Sequence, residues 1–391
     1  MMERLPIAVL SAAFLFNLGQ GVLRPSLPLY LQHVFAARYR MVTVIPTVFG
    51  AGKWIASLPT GHLLDRLGRR PLMVCGLLII AASDVGSMLT SEYTVFLGLR
   101  ALAGAGWAMF ATVATTTVLD PRASKGRGRA VSAMMMSETL GLLLGSAGGG
   151  WLYQAAGVGS PFLFEAACMV LGSAVLMRSV LPTGPLRSTA SPSTAARLGT
   201  VLRIPGVLVI AFTNAALVAI QTGLLVFLLP LYLVNRVGVT PGTVGMIVSL
   251  GVLGRLVALA WGGGMSDRAD RTRVLGSGLL AYGVLIAGVI MLTHPIALAL
   301  WSLAIGGVAG FVAPQPTALI GDRVPADLHG VAIGWLRTIT DTGQILGPLA
   351  MGALADAMDL STPFVAGAAL LIATAWPYRR RSGTIPTSAT S

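Results

Sequence analysis

Charge is what this sequence has least of. Asp, Glu, Lys and Arg together make up 10% of its 391 residues, against 55% hydrophobic. A soluble globular protein carries about 25% charged residues, so too little charge is present to cover a water-facing surface. The shortage excludes a cytosolic enzyme, a disordered tail and a coiled coil, and leaves lipid as the main solvent. Acid is scarcer than base: 14 Asp+Glu stand against 27 Lys+Arg, a formal net charge of +13. On a soluble domain that excess would point to nucleic acid. Here the placement of the charges has to be read first.

Other absences narrow the chemistry. Cys75 and Cys168 stand alone in apolar segments, which excludes a disulfide framework or a CxxC metal site. The histidines His33, His62, His294 and His329 show no HExxH spacing, and no G-x-S-x-G elbow occurs, so a membrane-embedded hydrolase lacks its parts. Gly52-Lys53 has Thr47 where a nucleotide-binding loop needs glycine and Trp54 where it needs Ser or Thr. No ATP site, catalytic residue, metal or organic cofactor is therefore expected. The sixteen methionines, Met134-Met135-Met136 among them, read as pliable packing. The first apolar run continues through Asn17, Gln20 and Arg24 to Tyr30 without an A-x-A cleavage site, which makes it a first membrane span rather than a signal peptide.

Apolar stretches near 20 residues, the length a helix needs to cross about 30 Å of hydrocarbon, number twelve. They are predicted at 5–32, 41–64, 71–90, 93–119, 130–155, 161–181, 205–234, 240–264, 274–292, 295–320, 329–355 and 361–378. An even count places both termini on one side. The terminal segments and even-numbered loops hold 19 basic residues, the opposite loops only Arg38, Arg40 and Arg236. By the positive-inside rule both termini are expected in the cytoplasm. The stretch 182–204 is rich in Pro, Gly, Ser and Thr and reads as a linker between two six-helix halves, 1–181 and 205–378, with 379–391 as a cytoplasmic tail.

The two halves repeat. Pro28-Leu29-Tyr30-Leu31 recurs as Pro230-Leu231-Tyr232-Leu233, a shift of 202 residues. The same shift carries Gly52-Lys53 onto Gly254-Arg255, Asp65-Arg66 onto Asp267-Arg268, Gly104 onto Gly306 and Asp120 onto Asp322. It also carries Gly141 and Gly145 onto Gly343 and Gly347, and Pro161-Phe162 onto Pro363-Phe364. Six spans fit in one repeat, so both copies share one membrane orientation, a parallel repeat about the membrane normal.

At these residues the chain resembles the major facilitator superfamily over essentially its whole length, and most of all its twelve-helix drug/proton antiporters. Gly61-His62-Leu63-Leu64-Asp65-Arg66-Leu67-Gly68-Arg69-Arg70 is similar to that family's G-x-L-x-D-R-x-G-R-R loop, with a weaker copy at Asp267-Arg268. Arg100, Gly104 and Gly106 resemble its R-x-x-x-G-x-G pattern. Gly141, Gly145 and Gly149 resemble its antiporter motif, although Ser146 stands where that motif has proline; Gly347-Pro348 keeps the proline in the second half. A carboxylate among arginines in a tight turn can latch one conformation through charge-assisted hydrogen bonds. Glycines every four residues, here Gly141, Gly145 and Gly149 with Gly343 and Gly347, permit close helix packing in lipid.

Ionisable groups inside spans are costly and become site candidates. The basic ones are Arg24, Lys53, Arg100, Arg255 and Arg337; the acidic ones are Asp84, Glu138, Glu165 and Asp341. Lys53 and Asp341 each lie about 18 Å from the cytoplasmic ends of their spans, and Arg255 and Glu138 lie at comparable depth. The family resemblance places span 2 against span 11 and span 5 against span 8. Two bridging pairs follow, Lys53 with Asp341 and Arg255 with Glu138, serving either proton coupling or static structure. A local Arg337–Asp341 pair at i, i+4 competes with the first. Asp84 and Glu165 are expected near the outer ends of their spans, reaching water. Asn17, Gln20 and Arg24 share one stripe of span 1 and Asn214 and Gln221 one stripe of span 7. With Arg100, Trp107 and Gln315, flanked by Pro314 and Pro316, they are the candidate substrate contacts, in the spans that the resemblance places around a cavity.

The expectation is therefore an all-α membrane protein of twelve transmembrane helices in two pseudo-symmetric bundles, working by alternating access. Proton-coupled efflux of small hydrophobic or amphipathic compounds is the leading reading. Proton-coupled uptake of a small metabolite, anionic if Arg24 and Arg100 bind it, is the second, and a non-transporting receptor or scaffold the third. The expected partners are a small-molecule substrate, protons and the lipid bilayer, without nucleic acid. A monomer in the cell membrane is expected.

Overall fold

The computed structural model describes residues 7–118, 127–179, 194–266, 270–325 and 328–380. Helices fall on every one of the twelve predicted stretches. The first six are α1 (Ile7–Phe35), α2 (Tyr39–Leu67), α3 (Arg69–Leu89), α4 (Tyr93–Val118), α5 (Arg127–Ala156) and α6 (Ser160–Met177). The short α7 (Thr194–Arg203) follows, then α8 (Val207–Ile220) and, further along the same span, α9 (Leu229–Tyr232). The remainder are α10 (Pro241–Ser266), α11 (Arg271–Gly288), α12 (Pro295–Val312), α13 (Gln315–Arg323), α14 (His329–Ala357) and α15 (Thr362–Arg380). Among the described residues nine helical stretches are long and apolar enough to cross a membrane, and no strand occurs.

Local chemistry sets several helix ends. Proline occupies the first turn of α6 and of α12, where its missing N–H is no loss. Asp270 caps α11 by accepting a hydrogen bond from the Thr272 amide at 2.9 Å. Between α2 and α3 the chain reverses at Gly68, with φ +81° and ψ 173°, while its amide donates to the Leu64 carbonyl at 3.0 Å. That backbone region is essentially closed to residues with a side chain, so the turn at the proposed latch depends on glycine. Span 7 widens into π-helical turns over Gln221–Leu228 and Leu233–Val237, on either side of Pro230. Proline offers no amide to the preceding turn, and π-turns are one way a helix absorbs such a loss. Span 10 breaks between α12 and α13 at Pro314.

The chain folds as two compact units. The first is Met1–Thr189 with Leu225–Ser249; the second is Ala190–Leu224 with Leu250–Ser391. In the first, α1 packs along α5 and α6, and α4 packs along α2 and α3. Its interior holds Phe16, Leu72, Met73, Phe110 and Met169. A separate aromatic cluster joins Tyr30, Phe35, Phe96 and Phe162, with edge-to-face rings such as Tyr30–Phe162 at 4.7 Å. In the second unit α11 packs along α15 and α8 along α14, around fully buried Tyr282 and Phe364.

Glycines set the closest of these crossings. A methyl group at Gly141, Gly145 or Gly149 of α5 would strike the carbonyls of Phe14, Leu18 and Val22 in turn along α1. In the second unit, Gly343 and Gly347 of α14 stand in the same way against Ala215 and Ala219 of α8. Gly52 of α2 faces Ala101 and Gly104 of α4 faces Phe49; 202 residues on, Gly254 faces Leu303 and Gly306 faces Gly251. The sequence repeat is thus also a repeat of contacts.

Candidate functional site

Four helices of the first unit converge on a buried charged cluster. Arg100 of α4 donates from Nη2 to Asp84 Oδ1 of α3 at 2.7 Å and to Ser87 Oγ at 2.8 Å. Ser87 in turn accepts the Tyr30 hydroxyl of α1 on its carbonyl at 3.1 Å. The guanidinium rests over the Phe96 and Phe162 rings, 5.5 and 5.4 Å from their centroids, a cation–π seat that suits arginine's planar charge. Glu165 of α6 accepts a hydrogen bond on Oε1 from Gln20 Nε2 of α1 at 2.5 Å. It also lies within electrostatic reach of Asp84 and Arg100. Gly19 leaves the room: a methyl group there would press on Glu165 Cγ at 3.1 Å.

This corrects the expectation that Asp84 and Glu165 reach water. Both are 0% exposed. Asp84 sits five residues before the end of α3, and Glu165 five after the start of α6, each about 7.5 Å along its helix. Depth says how far a residue is from a helix end; only its direction around the helix says whether another helix covers it. Here α6 packs against both α1 and α3. Two carboxylate oxygens, Asp84 Oδ2 and Glu165 Oε2, have no hydrogen-bond partner among the described residues. A depth signal was present in the sequence: Arg100 lies seven residues after the start of α4, level with Asp84 across the α3–α4 hairpin.

The other candidates are more dispersed. Asn17 donates to the Ala13 carbonyl of its own helix at 2.9 Å, while Gln20 turns to Glu165; Arg24 is half-buried. Asn214 of α8 donates to Thr340 Oγ1 of α14 at 2.6 Å, and half-buried Gln221 opens the π-helical stretch. Gln315 is buried and donates to the Phe311 carbonyl at 3.0 Å, beside the break in span 10. Lys53 lies with its Nζ 4.1 Å over the Trp107 ring, a contact that sequence reading did not anticipate. Lys53 and Glu138 belong to the first unit, and Arg255, Arg337 and Asp341 to the second. Among the described residues Arg337 and Asp341 form no ion pair with each other.

At the latch, Arg66 and Arg70 are exposed and Arg69 is buried. The surroundings of Gly61, the side chain of Asp65 and the whole of Asp267 and Arg268 lie outside the described residues. Beside that second copy, Arg271 pairs with Asp322 at 3.7 Å and Arg273 with Asp270 at 3.6 Å. Ser146, at the proline position of the antiporter motif, is fully buried. Among the described residues no group of three or more His, Cys, Asp or Glu is arranged to hold a metal ion.

Comparison with known proteins follows the same outline. The family model described as Major Facilitator Superfamily matches residues 9–238 and 211–389. Multidrug resistance protein 2 of Bacillus subtilis (strain 168) is 22% identical over 365 residues, spanning 92% of this chain and 90% of its own. Quinolone resistance protein NorA of Staphylococcus aureus is 24% identical over 357 residues, 88% of each chain. Among solved structures, nucleoside transporter NupG superposes with a TM-score of 0.75 at 13% identity, over 98% of this chain and all of its own. A bacterial homologue of the human lysosomal transporter Spinster, inward-facing and occupied, gives 0.78 at 15% identity, over 98% and 97%. These two likenesses are of fold.

Proposed function

Because this chain belongs to the Major Facilitator Superfamily, we propose that it is a secondary active transporter exporting small hydrophobic or amphipathic compounds in exchange for protons. The observation that carries this reading is the end-to-end match to relatives named for multidrug and quinolone resistance. The scarcity of polar groups among the candidate contacts agrees with it. Hydrophobic cargo needs shape and apolar area more than a dense set of hydrogen bonds.

Two six-helix halves, 1–181 and 205–378, rock about a central site, joined by the cytoplasmic linker 182–204, with both termini in the cytoplasm. Each half moves as a body because its glycine crossings bring backbones into contact. Asn17, Arg24, Trp107, Asn214 and Gln221 provide the sparse polar and aromatic contacts for cargo. Lys53, Asp341, Arg255 and Glu138 bridge the halves, and the Asp65–Arg70 turn with its copy at Asp267–Arg268 latches one state. Arg100 is committed to Asp84, which favours efflux of apolar cargo over recognition of an anionic metabolite.

Purified protein in liposomes tests the reading, with ethidium as the probe. An acid-inside gradient should drive ethidium into the lumen while protons leave, and the flux should vanish when the gradient is collapsed. Co-movement of protons with a carboxylate probe would instead support uptake. No flux of any compound would leave the receptor or scaffold reading.

A further inference from the structure

We propose that the buried cluster around Arg100 is the proton-binding site of this protein, and that the exchangeable proton sits on Glu165 Oε2. The proposal rests on the reading of the chain as a proton-coupled transporter and names the atom that couples it. One guanidinium faces two carboxyl groups, so with every group ionised the cluster carries one uncompensated negative charge. Asp84 Oδ1 takes the Arg100 hydrogen bond at 2.7 Å, so Arg100 and Asp84 balance each other. Glu165 is left with only a neutral amide, Gln20, on Oε1. Its Oε2 is buried and has no donor among the described residues. A buried carboxylate without a partner is expensive, and a proton on Oε2 removes the charge and turns that oxygen into a hydrogen-bond donor. The step is simple: a proton from water adds to the carboxylate to give the neutral acid, and its return to water on the other side restores the anion.

The surroundings leave the role to Glu165. Its neighbours across the packed helices are Asp84 of α3, Arg100 of α4 and Gln20 of α1, with Arg24 one turn beyond Gln20; Tyr30 of α1 reaches the cluster through the Ser87 carbonyl. Cys168 lies on α6 itself. On α5, Tyr153 lies near the turn into α6, and Glu138 about 20 Å further along that helix. Gln20 also connects the site to cargo, since it shares a stripe of α1 with Asn17 and Arg24. A cationic ligand drawing on that stripe brings positive charge beside Glu165, which favours the carboxylate and releases the proton.

Infrared difference spectra of the purified protein in lipid nanodiscs, titrated from mildly acid to mildly alkaline pH, test the assignment. The wild type should show the carbonyl band of a protonated carboxylic acid that disappears with rising pH. Glu165→Gln, which keeps the side chain's shape, should lack it. Asp84→Asn should also lack it at neutral pH, because Arg100 then balances Glu165 directly; a merely structural Glu165 predicts no such loss. A titrating band of wild-type size in Glu165→Gln overturns the proposal, and so does one in Asp84→Asn, which decides the matter should the first variant not fold. If the band behaves as expected but wild-type liposomes move no ethidium, the proton site stands and the efflux reading fails.

Discussion

The two halves of the sequence repeat share a packing skeleton and differ in chemistry. Shifted by 202 residues, the Gly52–Ala101 and Gly104–Phe49 crossings become Gly254–Leu303 and Gly306–Gly251, and buried Phe162 becomes buried Phe364. The charged cluster has no such copy. Asp84, Arg100 and Glu165 correspond to Ile286, Ser302 and Gly367, and a methyl group at Gly367 would meet the Leu224 side chain at 2.6 Å. Where the first half keeps two carboxyls and a guanidinium, the second keeps an isoleucine, a buried serine and a glycine packed against Leu224. Both copies keep what a rigid bundle needs, and among the described residues one copy alone carries the buried charged cluster.

The largest effect expected from breaking this comparison is at Arg100. Arg100→Ala strands the buried Asp84 carboxylate and should cost about 3–5 kcal/mol, the loss typical of removing one partner from a buried pair. Ser302→Ala, at the equivalent position, should cost about 1 kcal/mol. Thermal unfolding in detergent would show one large and one small drop in Tm, and equal drops would break the comparison. Next come the glycines, where the halves should agree. Gly104→Ala and Gly306→Ala each force a methyl group against a facing carbonyl and should each cost about 1–3 kcal/mol, seen as similar losses of Tm. A loss confined to one of them would mean that the skeleton is not duplicated in strength. The smallest effect belongs to Arg271→Ala, which removes an exposed ion pair to Asp322 at 3.7 Å. It should change stability by less than about 1 kcal/mol, and less still at high salt.

Much of this was legible from pattern alone. The span positions follow from apolar length, and the glycine crossings from four-residue spacing, because both are one-dimensional signals. The 202-residue register also gave which glycines of the second half repeat those of the first. Glu165 and Asp84 were misjudged for a physical reason: their distance from the span ends is readable, but their direction toward α1 and α4 is set by packing. Lys53 over Trp107 was hidden likewise, since it depends on how α2 and α4 face each other. The π-helical turns of span 7 left no distinct mark either, because Pro28 in the matching tetrapeptide sits within regular α1.

On the proposal above, the coupling proton belongs to the first half and rides on Glu165. Proton release on adding ethidium to the solubilised protein, in weak buffer near neutral pH, tests it most directly. The wild type should release a proton for each dye bound, and Glu165→Gln, which still binds the dye, should release none. Undiminished release from Glu165→Gln would contradict it.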